Sequence, residues 1–234
     1  KHESLVLLHF HGAEPSEIRS FASSLLNSTL EAASMELLTP GLAKELTGQH
    51  LWTLAVAFED RQKAVHVQED WVKHHRPERT EIKILQQQAA KAWWKQFSHI
   101  VPNGADRSGI SETETEIALK VGSKNLDVID ILKACEEWGN RYGVTVNGHG
   151  GLGHGISRVV AKGDGEDLLQ YVETVRRTAE NKKGYAVVTH MPLVLRQRCS
   201  VWGEKPVYFS LLKGIKQTID PNRILNPGRF VGGL

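Results

Sequence analysis

The sequence predicts an α+β fold in which an antiparallel sheet carries helices packed on one face. Short apolar or alternating segments, typical of strands, alternate along the chain with amphipathic segments of helical period. This order occurs twice: each half reads strand–helix–strand–strand–helix, and the second half adds a clear final strand. The pattern is that of ferredoxin-like units. We therefore expect a duplicated ferredoxin-like fold, with halves over about 1–95 and 112–191 and a C-terminal helix and tail over 192–234.

The first half contains three predicted strands and three predicted helices. The strands are Leu5–Phe10, Glu31–Leu38 and Leu51–Phe58. The helices are a segment that follows Glu14, Arg61–His75 and Leu85–Phe97. Pro15 suits the first turn of the first helix, because a proline there removes no helical hydrogen bond. A long loop is expected over Gln96–Ser111, between the halves.

The second half has clearer boundaries because glycines follow its helices. The predicted strands are Thr115–Val121, Val144–Val146, Ile156–Ala161 and Tyr185–His190. Two helices precede Gly143 and Gly184, which stand where helix stops are expected. A last amphipathic helix is predicted within Lys205–Asp220.

Composition narrows the class of protein. The 234 residues are 40% hydrophobic and 24% charged, with a net charge of +2, an ordinary globular composition. The chain therefore lacks the strong positive field of a nucleic-acid-binding protein. No apolar run approaches the roughly 20 residues that cross a bilayer, so no membrane span is expected. Cys135 and Cys199 are expected to be reduced thiols in a cytoplasmic protein.

The segment NGHGGLGHG, Asn147–Gly155, leaves several interpretations open. A phosphate loop is disfavoured, because a strand rather than a helix N-terminus follows the glycines. His149 and His154 could both bind a metal, but no carboxylate lies near them in sequence. The glycines could instead let the backbone pass close to a flat ligand, with His149 as the polar group. A plain flexible hairpin is the remaining alternative.

The C-terminal segment IDPNRILNPGRFVGGL is unusually well specified for a chain end. Asp220, Pro221 and Asn222 predict a helix stop followed by a turn, since the residue before a proline avoids the helical region. A second proline turn follows at Asn226–Gly228. Two turns that merely end the fold would also account for this pattern.

Two motifs carry a resemblance to a known family. GHGGLG looks like a degenerate HAGDG motif, and the segment from Pro192 onward contains VWG at Val201–Gly203 and ends in DPNRILNPGRFVGGL. This combination is similar to the C-terminal end of FAD-linked oxidases of the vanillyl-alcohol oxidase type. Within that family the chain most resembles the FAD-binding subunit of glycolate oxidase. The resemblance covers Val144–Leu234 and is only architectural over the first half.

The resemblance implies that residues 1–234 form the C-terminal cap domain, which covers the flavin ring and shapes the substrate pocket or a subunit contact. The N-terminal domain that holds the FAD phosphates is expected to be absent from these residues, and the chain, which begins with Lys1, to come from a longer product. The implied cofactor is FAD, and the implied partners are a flavoprotein subunit and an iron–sulfur subunit. A small 2-hydroxyacid is the implied substrate. The implied location is cytoplasmic, with membrane association through the complex.

Site residues follow from the same resemblance. His149 matches the histidine near the flavin and is the expected catalytic residue. Asn226, Pro227 and Gly228 match the turn that returns the chain toward the flavin, and Arg229 follows them, so these four are expected to bind the cofactor. In this chain alone the tail is expected to be an exposed or loosely held arm.

For a substrate carboxylate, Arg158, Arg196 and Arg198 are candidates through bidentate contacts, with Arg158 and Arg198 preferred. The 2-hydroxyacid dehydrogenases of the family carry a second histidine seven residues after the first, and together the two help to bind a metal. That position is Ile156 here, and the aspartate of the motif is Leu152, so no metal is expected. The hydroxyacid chemistry is then expected in the partner flavoprotein subunit. The alternative is a non-catalytic ferredoxin-like module for ligand binding or assembly of a multi-subunit complex.

Overall fold

The computed structural model describes residues 1–12, 15–100 and 115–234. In these residues eight strands form one antiparallel sheet. The strands are β1 His2–Phe10, β2 Ala32–Leu38, β3 Thr53–Asp60, β4 Thr80–Gln86, β5 Thr115–Gly122, β6 Thr145–Gly151, β7 Ile156–Gly163 and β8 Tyr185–His190. The helices are α1 Pro15–Leu26, α2 Pro40–Thr47, α3 Gln62–His75, α4 Gln88–Ser98, α5 Asp127–Tyr142, α6 Gly165–Asn181, α7 Leu193–Arg196 and α8 Phe209–Ile219, and a 3₁₀ turn covers Val231–Gly233.

The strand order shows that the fold is duplicated. Across the sheet it is β4-β1-β3-β2-β6-β7-β5-β8. Each half places its strands in the order fourth, first, third, second. The two halves run in opposite directions across the sheet, so the second strand of each half lies at the centre. The halves meet where β2 pairs with β6, through Glu36 opposite Gly151 and Leu38 opposite His149. The predicted duplication of a ferredoxin-like unit in an α+β fold is confirmed.

Strand alternation divides the core between the two faces of the sheet. Val6 and Leu8 belong to the larger core, which contains residues of α1, α3, α5 and α6. Leu5 and Leu7 belong to a smaller core on the opposite side, which contains residues of α2 and α4. The four long helices α1, α3, α5 and α6 therefore pack on one face of the sheet, as predicted. The helices α2 and α4, which occur only in the first half, pack on the other face.

Most predicted elements are present. The helices α2 and α7 and the strand β4 were not expected. The helix predicted over Leu85–Phe97 begins at Gln88, because Leu85 belongs to β4 and pairs with Leu5 of β1. Of the loop predicted over Gln96–Ser111, the first three residues end α4, and residues 101–111 lie outside the described residues.

The glycine-rich segment is mostly strand, so a loop or flexible hairpin is wrong for residues 147–151. These residues lie in β6, and only residues 152–155 form the turn to β7. A Cβ at Gly150 would lie 2.7 Å from the Ser157 hydroxyl and would also meet Val128 of α5. Glycine there lets α5 pack close to the sheet. The close approach is therefore to the protein's own helix.

The C-terminal helix α8 differs from the helices of the two cores in that none of its residues is buried. Its apolar side includes Leu211, Ile215 and Ile219, which are all exposed. Within the ranges described above, no helix is long and apolar enough to cross a membrane.

Candidate functional site

A single row of cross-strand neighbours crosses the sheet on the side opposite the four long helices. From one edge to the other its members are Glu81, His9, Thr53, Leu38, His149, Arg158, Lys120 and Val187. Helices α2 and α4 cover this side over the first half. On β7 and β8, Arg158, Lys162 and Thr189 alternate with buried residues of the main core and are exposed. The row therefore passes from a covered region to an open one between His149 and Arg158.

His149 lies at this boundary and is 9% exposed. Its Nδ1 is 2.8 Å from Oε2 of Glu36, a carboxylate that is also buried. The ring of Phe97, at the end of α4, meets the imidazole edge-to-face with 4.5 Å between centroids. The imidazole is thus oriented on one side by a carboxylate and covered on another by an aromatic ring.

Glu36 has a second histidine neighbour. Nε2 of His154 lies 3.5 Å from Oε1 of Glu36, and its Nδ1 accepts a hydrogen bond from the Ile156 backbone N–H at 3.2 Å. The His154 side chain is 59% exposed. A Cβ at Gly151 would collide with the His154 ring, so this glycine makes room for the histidine beside Glu36.

Metal binding at this cluster is not favoured by its geometry. In the part of the chain that the structure describes, no group of three or more His, Cys, Asp or Glu side chains is arranged to hold a metal ion. Ile156, at the position of the family's second histidine, pairs with Gly151 and so shares the side of the sheet on which His149 lies. Its apolar side chain offers no ligand atom.

Arg158 and Lys120 continue the row onto the open side. Arg158 pairs with His149 across β6 and β7, and Lys120 pairs with Arg158 across β5 and β7. Among the described residues, no carboxylate forms an ion pair with either cation. Two uncompensated cations next to an imidazole suit a ligand that carries a carboxylate.

The other candidate arginines are not brought to His149. Arg198 makes a bidentate ion pair with Glu166 in the first turn of α6, on the side of the sheet that carries the long helices. This pairing raises the pKa of Arg198 and lowers that of Glu166. Arg196 is exposed at the end of α7. The structure thus joins Arg158, but not Arg198, with the predicted catalytic histidine.

The predicted cofactor-binding tail is exposed from residue 221 to residue 230, as expected for an arm. Its turn contains Asn226 at φ 45° and Gly228 at φ 72°. The tail is held to the rest of the chain at Trp202, whose Nε1 donates to the carbonyl oxygen of Arg229 at 3.1 Å. The rings of Trp202 and Phe230 lie 5.7 Å apart. Asn226, Pro227, Gly228 and Arg229 therefore form one exposed turn whose far end rests on Trp202.

A cavity of about 830 Å³ connects the tail region with the row. Lys120 and Val187 contribute from the open side of the sheet, while Trp202, Tyr208 and Val231 contribute from the C-terminal segment. The open end of the row and the C-terminal segment thus border the same space.

Comparison with known proteins identifies similar folds among solved structures. No protein-family profile and no curated protein matches the chain. Among solved structures, 4-ethylphenol oxidase from Gulosibacter chungangensis is similar with a TM-score of 0.64 at 12% identity, over 97% of this chain and 53% of that one. p-Cresol methylhydroxylase is similar with a TM-score of 0.61 at 16% identity, over 98% and 52%. Alkyldihydroxyacetonephosphate synthase is similar with a TM-score of 0.58 at 11% identity, over 94% and 43%.

The chain has the fold of about half of each of these enzymes. It spans about half the length of the structures it matches. At these identities the likeness concerns the fold, and substrates and partners do not follow from it.

Three residues of the site, Lys120, Glu36 and Phe97, were missed by sequence reasoning. Glu36 lies between Met35 and Leu37, in the apolar end of β2. A single carboxylate among buried apolar residues needs a partner, and this was the signal that could have identified it. Phe97 closes α4 and carried no signal of its own, because aromatic residues at helical spacing are typical of any core.

Proposed function

We propose that this chain is the cap domain of an FAD-dependent oxidoreductase and that it covers the flavin ring with the open side of its sheet. The observation that carries the proposal is the part of the row from His149 through Arg158 to Lys120. It leads from a buried imidazole to two cations that form no ion pair with a carboxylate in the described part of the chain. The motifs of the C-terminal segment and the fold shared with an oxidase and a methylhydroxylase support it.

The residues present fit part of FAD. A flat ring and a carboxylate substrate suit an open sheet surface that presents the N–H donors of Arg158 and Lys120. The ADP part needs a phosphate-binding site such as a helix N-terminus after a glycine-rich turn, whereas the glycines of residues 147–151 lie in a strand. We therefore assign the phosphates to an N-terminal domain in a longer protein.

When bound, FAD supplies the two-electron oxidant that takes a hydride from the carbon bearing the hydroxyl. The chain itself supplies the proton acceptor, His149, because imidazole exchanges protons near neutral pH. Arg158 binds the carboxylate of a small 2-hydroxyacid, and Lys120 adds a second positive charge beside it. The turn Asn226–Gly228 with Arg229 approaches the flavin when the cofactor is present.

The finer proposal is a glycolate oxidase subunit that works with a flavoprotein subunit and an iron–sulfur subunit. It places the hydroxyacid oxidation at His149 and Arg158 of this chain, instead of in the partner flavoprotein subunit as the missing second histidine had led us to expect. The NPGRFVGGL ending supports this choice within the family. We propose a cytoplasmic location, with membrane association only through the complex.

A second candidate is a non-catalytic assembly module. The exposed apolar side of α8, with Leu211, Ile215 and Ile219, favours it because such a surface is typical of a contact with another domain or subunit. In that case the row would bind a carboxylate ligand without oxidising it.

The test uses the full-length protein. We expect it to purify with the absorption spectrum of an oxidised flavin, and we expect glycolate to bleach that spectrum. His149→Ala should slow the bleaching, whereas His50→Ala, at an exposed histidine, should leave it unchanged. A full-length product that lacks flavin and cannot be reconstituted with FAD would rule out the enzyme and favour the assembly module.

A further inference from the structure

The cluster of Glu36, His149 and His154 contains a carboxylate that neither the motifs nor the comparisons identify. Glu36 and Leu38 lie on the same side of β2, and Leu38 is directly opposite His149. Glu36 is therefore the diagonal neighbour of His149, close enough for its side chain to reach the ring. The contact spans 113 positions in sequence.

Hydrogen bonds define where the protons of this cluster lie. The backbone N–H of Ile156 donates to Nδ1 of His154, so the proton of the neutral His154 ring is on Nε2. That nitrogen faces Oε1 of Glu36 at 3.5 Å. The other oxygen of the carboxylate faces Nδ1 of His149 at 2.8 Å. A carboxylate between two imidazole rings is best satisfied when both rings present N–H groups to it.

We propose that Glu36 is a positioning residue that holds His149 in the tautomer with its proton on Nδ1. Nε2 of His149 is then the unprotonated nitrogen, and no described residue forms a hydrogen bond with it. Phe97 limits the movement of the ring from the other side. The arrangement follows the general rule that the free nitrogen of a histidine is determined by the partner of the other nitrogen.

This inference rests on the proposed function for its chemical consequence. As the substrate is oxidised, its O–H bond breaks and the proton forms an N–H bond at Nε2 of His149. The electron pair of the O–H bond becomes the second bond of the carbonyl group, and FAD, when bound, would accept the hydride that the carbon loses. The resulting imidazolium lies beside the Glu36 carboxylate, which stabilises its charge. His154, the exposed member of the cluster, links this carboxylate to solvent.

The first experiment is a long-range ¹H–¹⁵N correlation spectrum of the histidine side chains in the 234-residue chain above pH 8. The His149 signals are assigned by their loss in His149→Gln. We expect the pattern of a single tautomer protonated at Nδ1 in the wild-type chain. In Glu36→Leu we expect a mixture of the two tautomers, and in the matched control Glu31→Leu, at an exposed glutamate, the wild-type pattern.

A wild-type His149 protonated at Nε2 overturns the inference, and this result does not depend on any variant folding. An unchanged His149 pattern in folded Glu36→Leu also overturns it. If Glu36→Leu does not fold, Glu36→Ala replaces it, because alanine also offers no acceptor to Nδ1, and the same unchanged pattern counts against the inference.

The second experiment measures flavin reduction in the full-length protein as a function of pH. Glu36→Gln should reduce the rate about 10- to 100-fold with little change in KM, and it should shift the pH profile, because the partner of a positioned histidine acts through that histidine. Normal reduction by His149→Ala would contradict the catalytic role in the proposed function and leave the tautomer result standing. A slow His149→Ala with an unaffected Glu36→Gln would contradict only the inference.

Discussion

The ring of Phe97 meets the ring of His149 edge-to-face, with 4.5 Å between their centroids. Phe97 belongs to α4 in the first half, whereas His149 belongs to β6 in the second. The contact therefore forms only when the two halves share one sheet. It places the last turn of α4 over the imidazole and leaves the neighbouring Arg158 exposed.

Removing this aromatic cover should destabilise the chain and expose the imidazole. Phe97→Ala deletes a half-buried ring, so we expect unfolding in urea to show a loss of about 2 kcal/mol, less than for a fully buried phenylalanine. Chemical modification of His149, followed by mass spectrometry, should become faster. Gln96→Ala, at an exposed position of the same helix, is the control and should change neither quantity. Equal modification rates in both variants would show that Phe97 does not shield His149.

A methyl group at Gly150 should disturb the packing of α5 on the sheet. Its Cβ would lie 2.7 Å from the Ser157 hydroxyl and against Val128. Gly150→Ala should therefore cost about 1–3 kcal/mol in urea unfolding, the usual range for overpacking. Gly153→Ala is the matched control, because a Cβ there has no atom within 4 Å. Equal stability of the two variants would contradict the close approach of α5.

Glu136 of α5 should make stability depend on pH. Burial raises the pKa of this carboxyl from 4.5 to about 7, partly offset by a hydrogen bond with Thr39. The folded chain therefore holds this proton more tightly than the unfolded chain. The stabilisation is complete below pH 4.5 and is lost as the pH rises through about 7.

Glu136→Gln should remove that loss. After allowance for solvent screening of a half-buried group, we expect the variant to be more stable than wild type by about 1 kcal/mol at pH 8.5. Near pH 4 the two should be equal, as measured by urea unfolding at both pH values. Glu137→Gln, at the exposed neighbour, should show no such pH dependence. A gain of the same size at both pH values would mean that Glu136 does not titrate as described.

Arg158 should contribute to substrate binding in the full-length protein. Loss of a charge-assisted pair with a carboxylate is worth roughly 1.5–3 kcal/mol, so Arg158→Ala should raise the KM for a 2-hydroxyacid about 10- to 100-fold. Arg177→Ala is the control, since Arg177 is exposed on α6 and pairs with Glu173. A KM that rises equally in both variants would remove Arg158 from the site.

The tail should become ordered when the cofactor domain is present. Residues 221–230 are exposed, and we expect their amides to exchange rapidly with solvent in the 234-residue chain. In the full-length flavoprotein the same amides should exchange more slowly, while those in the core of α5 should be slow in both. Equally rapid exchange of the tail in both proteins would exclude contact between Asn226–Gly228 and the flavin.

Part of the candidate site could be predicted from the sequence. His149 was identified from a glycine-rich motif, and Arg158 was one of three arginines considered for a substrate carboxylate. Glu36 and Phe97 could not be assigned to the site, because both depend on which strands and helices of the first half reach β6. Arg198 was a candidate because an arginine can bind a carboxylate. Its partner is instead Glu166, on a helix that packs on the other side of the sheet from His149.

The sequence by itself determined the order of strands and helices and the duplication, because apolar periodicity and glycine stops are local signals. It also indicated an exposed, well-specified tail. Three short elements, α2, β4 and α7, were not predicted, since brief apolar segments suit either helix or strand. Only the tertiary structure decided that β2 pairs with β6, and this pairing brings Glu36 to His149 across 113 positions. It also decided that Gly150 makes room for α5, because the approach of Val128 to this glycine depends on how a helix packs on the sheet.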